Sequence, residues 1–374
     1  MTKIRLAGLT VAEFLHGHWQ KKPLLARDAL SGPGDFPRRD ELFELAARED
    51  MESRLVIRDG RRWRVRHGPF TARTLARLGN GKWSLLVQGV DHALPAAERL
   101  LRQFAFIPYA RLDDVMVSYA PPGGGVGPHF DSYDVFLLQG AGRRRWRIGP
   151  IHHRELLPEA PLRILRRFRP QREWVLHPGD MLYLPPHYGH DGVALTDCIT
   201  VSIGFRAAGA QELGARFLEF LQDRLKLEGQ YEDPDLAFQR RPAAIAPAMV
   251  RKARRMLQAI RWDGRDVANF LGCHLTEPKA HVVFARPARP LTARGFAAAA
   301  PRHGLRLAPA TRMLFHGNTI FVNGESRAVE RGAAQALTGL ADRRELAPGS
   351  RLQRQAVHTL YEWYRAGYIL LGDR

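Results

Sequence analysis

The chain has 374 residues, of which 45% are hydrophobic and 25% charged, with 57 Lys and Arg against 38 Asp and Glu, a net charge of +19 and a pI near 10.7. Such a chain is a globular protein with room for two or three domains and an ample core, and its basic surface suits acidic partners, nucleic acid first among them, unless an Arg-rich genome alone sets the charge. Two distant cysteines, Cys198 and Cys273, exclude a disulfide framework or a cysteine zinc site and fit a reducing compartment. The N-terminus lacks an apolar core of signal-peptide length and no run approaches the length needed to span a membrane, so the expectation is a cytoplasmic protein without membrane contact.

Residues 1 to about 50 read as helical, with Thr10 capping a helix that carries Val11, Phe14 and Leu15. Pro23 ends it and begins an extended segment. Alternation from Arg54 to Val65 around Asp59-Gly60 predicts a hairpin, Lys82 to Val90 a strand and Pro95 to Phe104 a helix. In a strand from Leu112 to Ala120, Asp114, Met116 and Ser118 share one face and Val115, Val117 and Tyr119 the other. Pro121 to Gly127 is a glycine-rich loop with no phosphate-binding signature. Further short strands at Val135–Leu138, Arg143–Ile148, Glu173–Leu176, Met181–Leu184 and Ile199–Phe205 predict a sandwich or barrel.

After Ala210 the pattern turns helical. Leu213, Phe217, Phe220, Leu221 and Leu225 follow helical spacing, and helices follow at about 247–260 and 263–271. This stretch is a candidate spacer or dimer seam. From about 280, Pro-rich connectors lead to a hairpin at Arg312–Val322, helices near 328–341 and 350–366, and a short strand at Tyr368–Leu371, a layout compatible with a winged helix.

The chemistry centres on Gly123 to Gly140. If His129-Phe130-Asp131 lies in a strand, the imidazole and the carboxylate point the same way. One more histidine would complete a two-His-one-carboxylate triad that holds Fe(II) with open positions. Among His177, His187 and His190, His190 is favoured because it can turn back into the barrel mouth, with His187 at a loop tip as the alternative. In Gly142–Gly149, Arg143, Arg145 and Arg147 make a solvated face, whereas Arg144 shares a face with Trp146 and Ile148. A buried guanidinium needs a partner, either a protein carboxylate or a dicarboxylate co-substrate.

The stretches GGGVGPHFDSYDVFLLQGAGRRRWRIG, GDMLYLPPHYGHDG and ITVSIGFRA resemble the bacterial JmjC-type ribosomal oxygenases, as does HWQKKPLLAR near the N-terminus. The resemblance implies an α+β fold: a double-stranded β-helix (cupin/JmjC) barrel with an N-terminal helical extension over 1–208, a helical dimerisation region over 209–275 and a winged-helix-like domain over 276–374. It implies Fe(II) on His129, Asp131 and His190, 2-oxoglutarate on Arg144 with Ser118 as a further contact, and O2 as oxidant. Asp114, Met116, Tyr133 and Ser202 match the family's substrate pocket; for Met116 and Tyr133 the ordinary reading is core packing. The implied reaction hydroxylates the β-carbon of an arginine in a ribosomal large-subunit protein, by a homodimer; ribosomal RNA is a candidate further partner. Rival readings are a histidine hydroxylase or methyl-lysine demethylase of the same family, a non-catalytic cupin, and a nucleic-acid-binding regulator.

Overall fold

The computed structural model describes residues 4–30, 36–60, 62–79 and 81–372. The N-terminal part contains α1 (Val11–Gly17), β1 (Leu24–Ala26), α2 (Arg39–Ala46), β2 (Ser53–Asp59), β3 (Arg62–His67), α3 (Ala72–Ala76), β4 (Trp83–Val87), α4 (Val90–Ala93) and α5 (Pro95–Arg102). Thr10 caps α1 through a box with Glu13, whose backbone N–H donates to the Thr10 hydroxyl. The expectation that residues 1 to about 50 are helical is corrected: α1 and α2 are short, Pro23 opens β1, and 1–3 and 31–35 lie outside the described residues. Phe14 is fully buried against Phe136 and Tyr183, so α1 closes one side of the barrel core.

The barrel strands are β5 (Leu112–Ala120), β6 (Val135–Ala141), β7 (Arg144–Pro150), β8 (Arg172–Leu176), β9 (Met181–Leu184), β10 (Tyr188–Ala194) and β11 (Cys198–Phe205). Among the described residues they lie in a sheet of order β1-β9-β6-β11-β5-β4-β2-β3 and a smaller sheet β10-β7-β8. The pairs are antiparallel, so inward and outward side chains alternate. On β5, Val115, Val117 and Tyr119 enter the main core, while Asp114, Met116 and Ser118 take the other face.

Two local expectations are corrected. His129 to Asp131 is not a strand; His129 forms a single bridge with His190. Pro128 lacks an N–H and Gly127 has φ +101, so no ladder extends through this stretch. His190 is not in a returning loop but inside β10, opposite Ile148 of β7.

Beyond the barrel come α6 (Ala210–Gln222), α7 (Pro247–Leu257), α8 (Gly264–Thr276), α9 (Ala293–His303), β12 (Leu305–Leu307), β13 (Met313–His316), β14 (Thr319–Val322), β15 (Glu325–Ala328), α10 (Arg331–Arg343), β16 (Glu345–Leu346), α11 (Arg354–Ala366) and β17 (Ile369–Leu371). The last part has its own core around Phe296, Leu337, Leu340 and Leu360. Phe217 and Phe220 of α6 meet the ring of Phe270 on α8, and Leu221 is buried. On α8 a Cβ at Gly272 would come 2.3 Å from the Phe321 ring, so glycine lets α8 seat directly on β14. Leu218, Leu236, Phe238, Ile245 and Leu257 stay exposed.

Candidate active site

The glycine loop reaches the site by running along β10. Gly123 N–H donates to Ala194 O and Ala194 N–H to Gly124 O. A Cβ at Gly125 would lie 2.4 Å from Gly192 O, so only glycine permits this approach. At the end of the run His129 and His190 exchange both backbone hydrogen bonds, at 3.0 and 2.8 Å. Their rings then sit 4.2 Å apart.

The donor atoms of His129, Asp131 and His190 all lie within 4.8 Å of one another. His129 Nδ1 is 2.8 Å from Gly127 O and His190 Nδ1 is 3.1 Å from Tyr188 O. A carbonyl can only accept, so each Nδ1 carries a proton and Nε2 is the ring atom left for a metal. His190 Nε2 faces Asp131 Oδ2 at 3.6 Å. Burial, and then the neighbouring His129, push the His190 pKa down to about 4, so the imidazole is neutral at neutral pH. Two imidazoles and one carboxylate are the donor set of a facial triad and fit Fe(II). His187 stands at an exposed turn with φ +68, and His177 is exposed; neither joins the cluster.

Arg144 is 3% exposed. Its Nη1 donates to Thr200 Oγ1 (3.0 Å) and Ser118 Oγ (3.3 Å), and Nη2 donates to Gly192 O (3.4 Å). Trp146 lies beneath the guanidinium at 5.1 Å. A Cβ at Gly192 would crowd both Trp146 and Arg144 Nε, so the glycine makes room for them. Burial lowers the Arg144 pKa from its ordinary value. No carboxylate among the described residues pairs with this cation, and its Nε has no partner. The nearby Asp191 is paired with Arg147 instead. A buried cation held only by hydroxyls and a carbonyl is a site for an added anion, and a dicarboxylate fits it. Arg143 is exposed, while Arg145 and Arg147 are half-buried, as the alternation predicts.

Asp114 is buried, and Gln88 Nε2 donates to both its oxygens at 2.8 and 2.9 Å. Ser202 lies opposite Met116 in the β11–β5 register. Tyr133 is 41% exposed. Its phenol pKa is raised, first by desolvation of the hydroxyl and then by the Asp131 and Asp114 carboxylates. Sequence reasoning missed Thr200, Gln88 and Lys279, whose Nζ donates to Asp114 Oδ2 at 2.9 Å. Alternation along β11 puts Thr200 on the same face as Ser202, which the resemblance names, and would have found it.

A double-stranded β-helix that carries this triad beside a buried basic residue has the architecture of a 2-oxoglutarate-dependent oxygenase, the class that includes the JmjC enzymes. Residues 99–213 match the JmjC domain model and 259–369 the ROXA-like winged helix. The chain belongs to the JmjC-type ribosomal oxygenases: it is 37% identical over 279 residues, 74% of either chain, to the ribosomal protein uL16 3-hydroxylase of Escherichia coli (strain K12). It is 40% identical over 236 residues, 61% of this chain and 55% of the other, to a Haemophilus influenzae protein named "Probable ribosomal oxygenase". The solved structure of YcfD, a ribosomal oxygenase from Escherichia coli, with cobalt and 2-oxoglutarate aligns over 100% of both chains with a TM-score of 0.84 and 32% identity.

Proposed function

We propose that this protein hydroxylates the β-carbon of an arginine in ribosomal protein uL16, using Fe(II) on His129, Asp131 and His190 and 2-oxoglutarate on Arg144. The observation that carries this reading is the buried Arg144 guanidinium, which has hydroxyl partners and, among the described residues, no carboxylate counter-ion. A structural ion pair, the ordinary explanation of a buried arginine, would show a carboxylate there.

Iron, when bound with 2-oxoglutarate and O2, would supply the oxidising chemistry that inserts one oxygen atom of O2 into an unactivated C–H bond, the other entering succinate as 2-oxoglutarate loses CO2. The protein positions and shields. Gly127 O and Tyr188 O hold both histidines in the tautomer that offers Nε2. Arg144 takes the distal carboxylate of the co-substrate, with Ser118 and Thr200 fixing the plane of its fork. Asp114 accepts the substrate guanidinium, Met116 and Tyr133 cover its aliphatic stem, and Ser202 offers a further contact. An acidic acceptor favours a guanidinium over an imidazole, which argues against histidine as the target.

The same reading divides the chain near residues 208 and 275 and makes the exposed apolar surface of 209–275 a homodimer seam. The basic surface suits contact with ribosomal RNA around the target, and a ribosomal substrate implies the cytoplasm. No described helix is long and apolar enough to cross a membrane. The test is succinate release by purified protein with iron and 2-oxoglutarate, with and without uL16. Stimulation by uL16, lost about a hundredfold or more in Asp114→Ala while uncoupled 2-oxoglutarate turnover persists, supports the reading. Normal hydroxylation by Asp114→Ala would return histidine or methyl-lysine to contention.

A further inference from the structure

The acceptor assigned above to the substrate guanidinium already holds a cation from its own chain. Lys279 Nζ donates to Asp114 Oδ2 at 2.9 Å and stands 3.5 Å from Asp113 Oδ2. The Asp114 side chain is only 3% exposed and that of Lys279 is 30% exposed, so the lysine is the outer member of the pair. Gln88 Nε2 takes both oxygens of Asp114 from another direction. An incoming guanidinium therefore meets Lys279 before it meets the carboxylate.

We propose that Lys279 is an internal occupant of the arginine pocket, a specificity-determining residue that the substrate guanidinium must displace; this rests on the reading that Asp114 accepts the target. An ammonium makes a single-point contact, whereas a guanidinium presents a planar fork, so arginine is the cation equipped to win the exchange. Asp113 gives the displaced lysine a second carboxylate within reach, which keeps the cost of displacement low. Asp113 is already tied to Arg206, and its carbonyl accepts from Arg312 Nη2 at 2.9 Å. Neutral side chains and poorly forking cations are thereby excluded at the door.

Lys279 lies three residues beyond α8, in the stretch matched to the winged helix. The end of α8 is tied to the C-terminal hairpin, since Gly324 N–H donates to Thr276 Oγ1 at 3.0 Å. Arg312 also comes from that part of the chain. The winged helix thus supplies two cations to the Asp113–Asp114 pair and is a structural part of the substrate pocket.

The test uses the full chain with uL16 as probe, reading KM and kcat of the iron-loaded enzyme and, separately, uL16 binding to the metal-free protein by fluorescence anisotropy. Lys279→Met removes the occupant but keeps its apolar stem; KM and the dissociation constant should both fall by about three- to tenfold. Lys279→Arg installs a better occupant and should raise both. A lysine that merely braces the fold gives the reverse order, with Arg tolerated and Met harmful. A KM for Lys279→Met that is unchanged or higher overturns the proposal. Asp114→Asn separates the two levels: normal turnover of uL16 by that variant would sink the pocket reading itself. Lost turnover there, beside an unchanged Lys279→Met, would sink only the role of Lys279.

Discussion

His129 and His190 are joined through their backbones, each N–H donating to the other's carbonyl. The spacing of the two rings is therefore set by main-chain pairing and not by side-chain packing. Loss of one ring should leave the pairing, and hence the fold, in place. His129→Ala, Asp131→Ala and His190→Ala should each keep the wild-type circular dichroism spectrum and lose both Fe(II) binding and turnover, because a three-ligand site cannot spare a ligand. His187→Ala should retain both. An inactive His187→Ala beside an active His190→Ala would show that the third ligand is misassigned.

Arg144 is the buried member of an arginine run. Arg144→Met should raise the 2-oxoglutarate concentration needed for half-maximal turnover by about two orders of magnitude, as expected for loss of a buried charge-assisted hydrogen-bond pair. Arg143→Met and Arg145→Met should change it little. Titration of succinate release against 2-oxoglutarate reads the difference. Equal, mild effects at all three positions would contradict the assignment.

What the sequence made legible follows from how local each signal is. The bounds of β5 and the inward turn of Arg144 are read from strict alternation, a property of a few adjacent residues. The strand that carries His190 escapes the same reading because Gly189 and Gly192 flank the histidine and no β-branched residue precedes Val193; pairing with β7 makes it a strand. His129 to Asp131 fails as a strand for the opposite reason, with Gly127 and Pro128 breaking the ladder, yet the two side chains still converge. Lys279 lies 165 residues from Asp114 and reaches it where the end of α8 meets the barrel, with Arg206 Nη1 donating to Leu275 O at 2.6 Å. No local pattern announces such a contact.

Asp91 and the adjacent His92 carry opposed pH dependences. Burial, and then Asp114, push the Asp91 carboxyl up to about 7, although its Oδ1 accepts from Val115 N–H at 2.8 Å. Burial, and then Arg312, push His92 down to about 4. For Asp91 the folded value is raised, so its contribution is full below the unfolded value and is lost as pH rises toward 7. For His92 the folded value is lowered, so its contribution is present above the unfolded value and is lost as pH falls toward 4. Asp91→Asn keeps the acceptor for Val115 and removes the alkaline loss. Its melting temperature should exceed that of the wild type at pH 8, by the equivalent of a few kcal/mol on the order of the shift, and the gain should vanish near pH 4. A gain that is larger at pH 5 than at pH 8 would contradict the assignment.

The helical stretch separates inward from outward apolar residues. Phe217 and Phe220 face Phe270 of the same chain, whereas Leu218 and Leu257 are 67% and 64% exposed. Leu218→Asp with Leu257→Asp should therefore split a dimer without unfolding the protomer, and Phe217→Asp should destabilise the protomer itself. Light scattering and thermal melts distinguish the two effects. A wild type that is monomeric at every concentration would rule out the dimer.

The most direct measurement is intact-protein and peptide mass spectrometry of ribosomal proteins from cells with and without this gene. The account predicts one extra oxygen on uL16, localised to the β-carbon of a single arginine, present in wild-type cells, absent from the deletion, and restored by the wild-type gene but not by His190→Ala. An identical uL16 mass in both strains, or the extra oxygen on a histidine of another ribosomal protein, would contradict it.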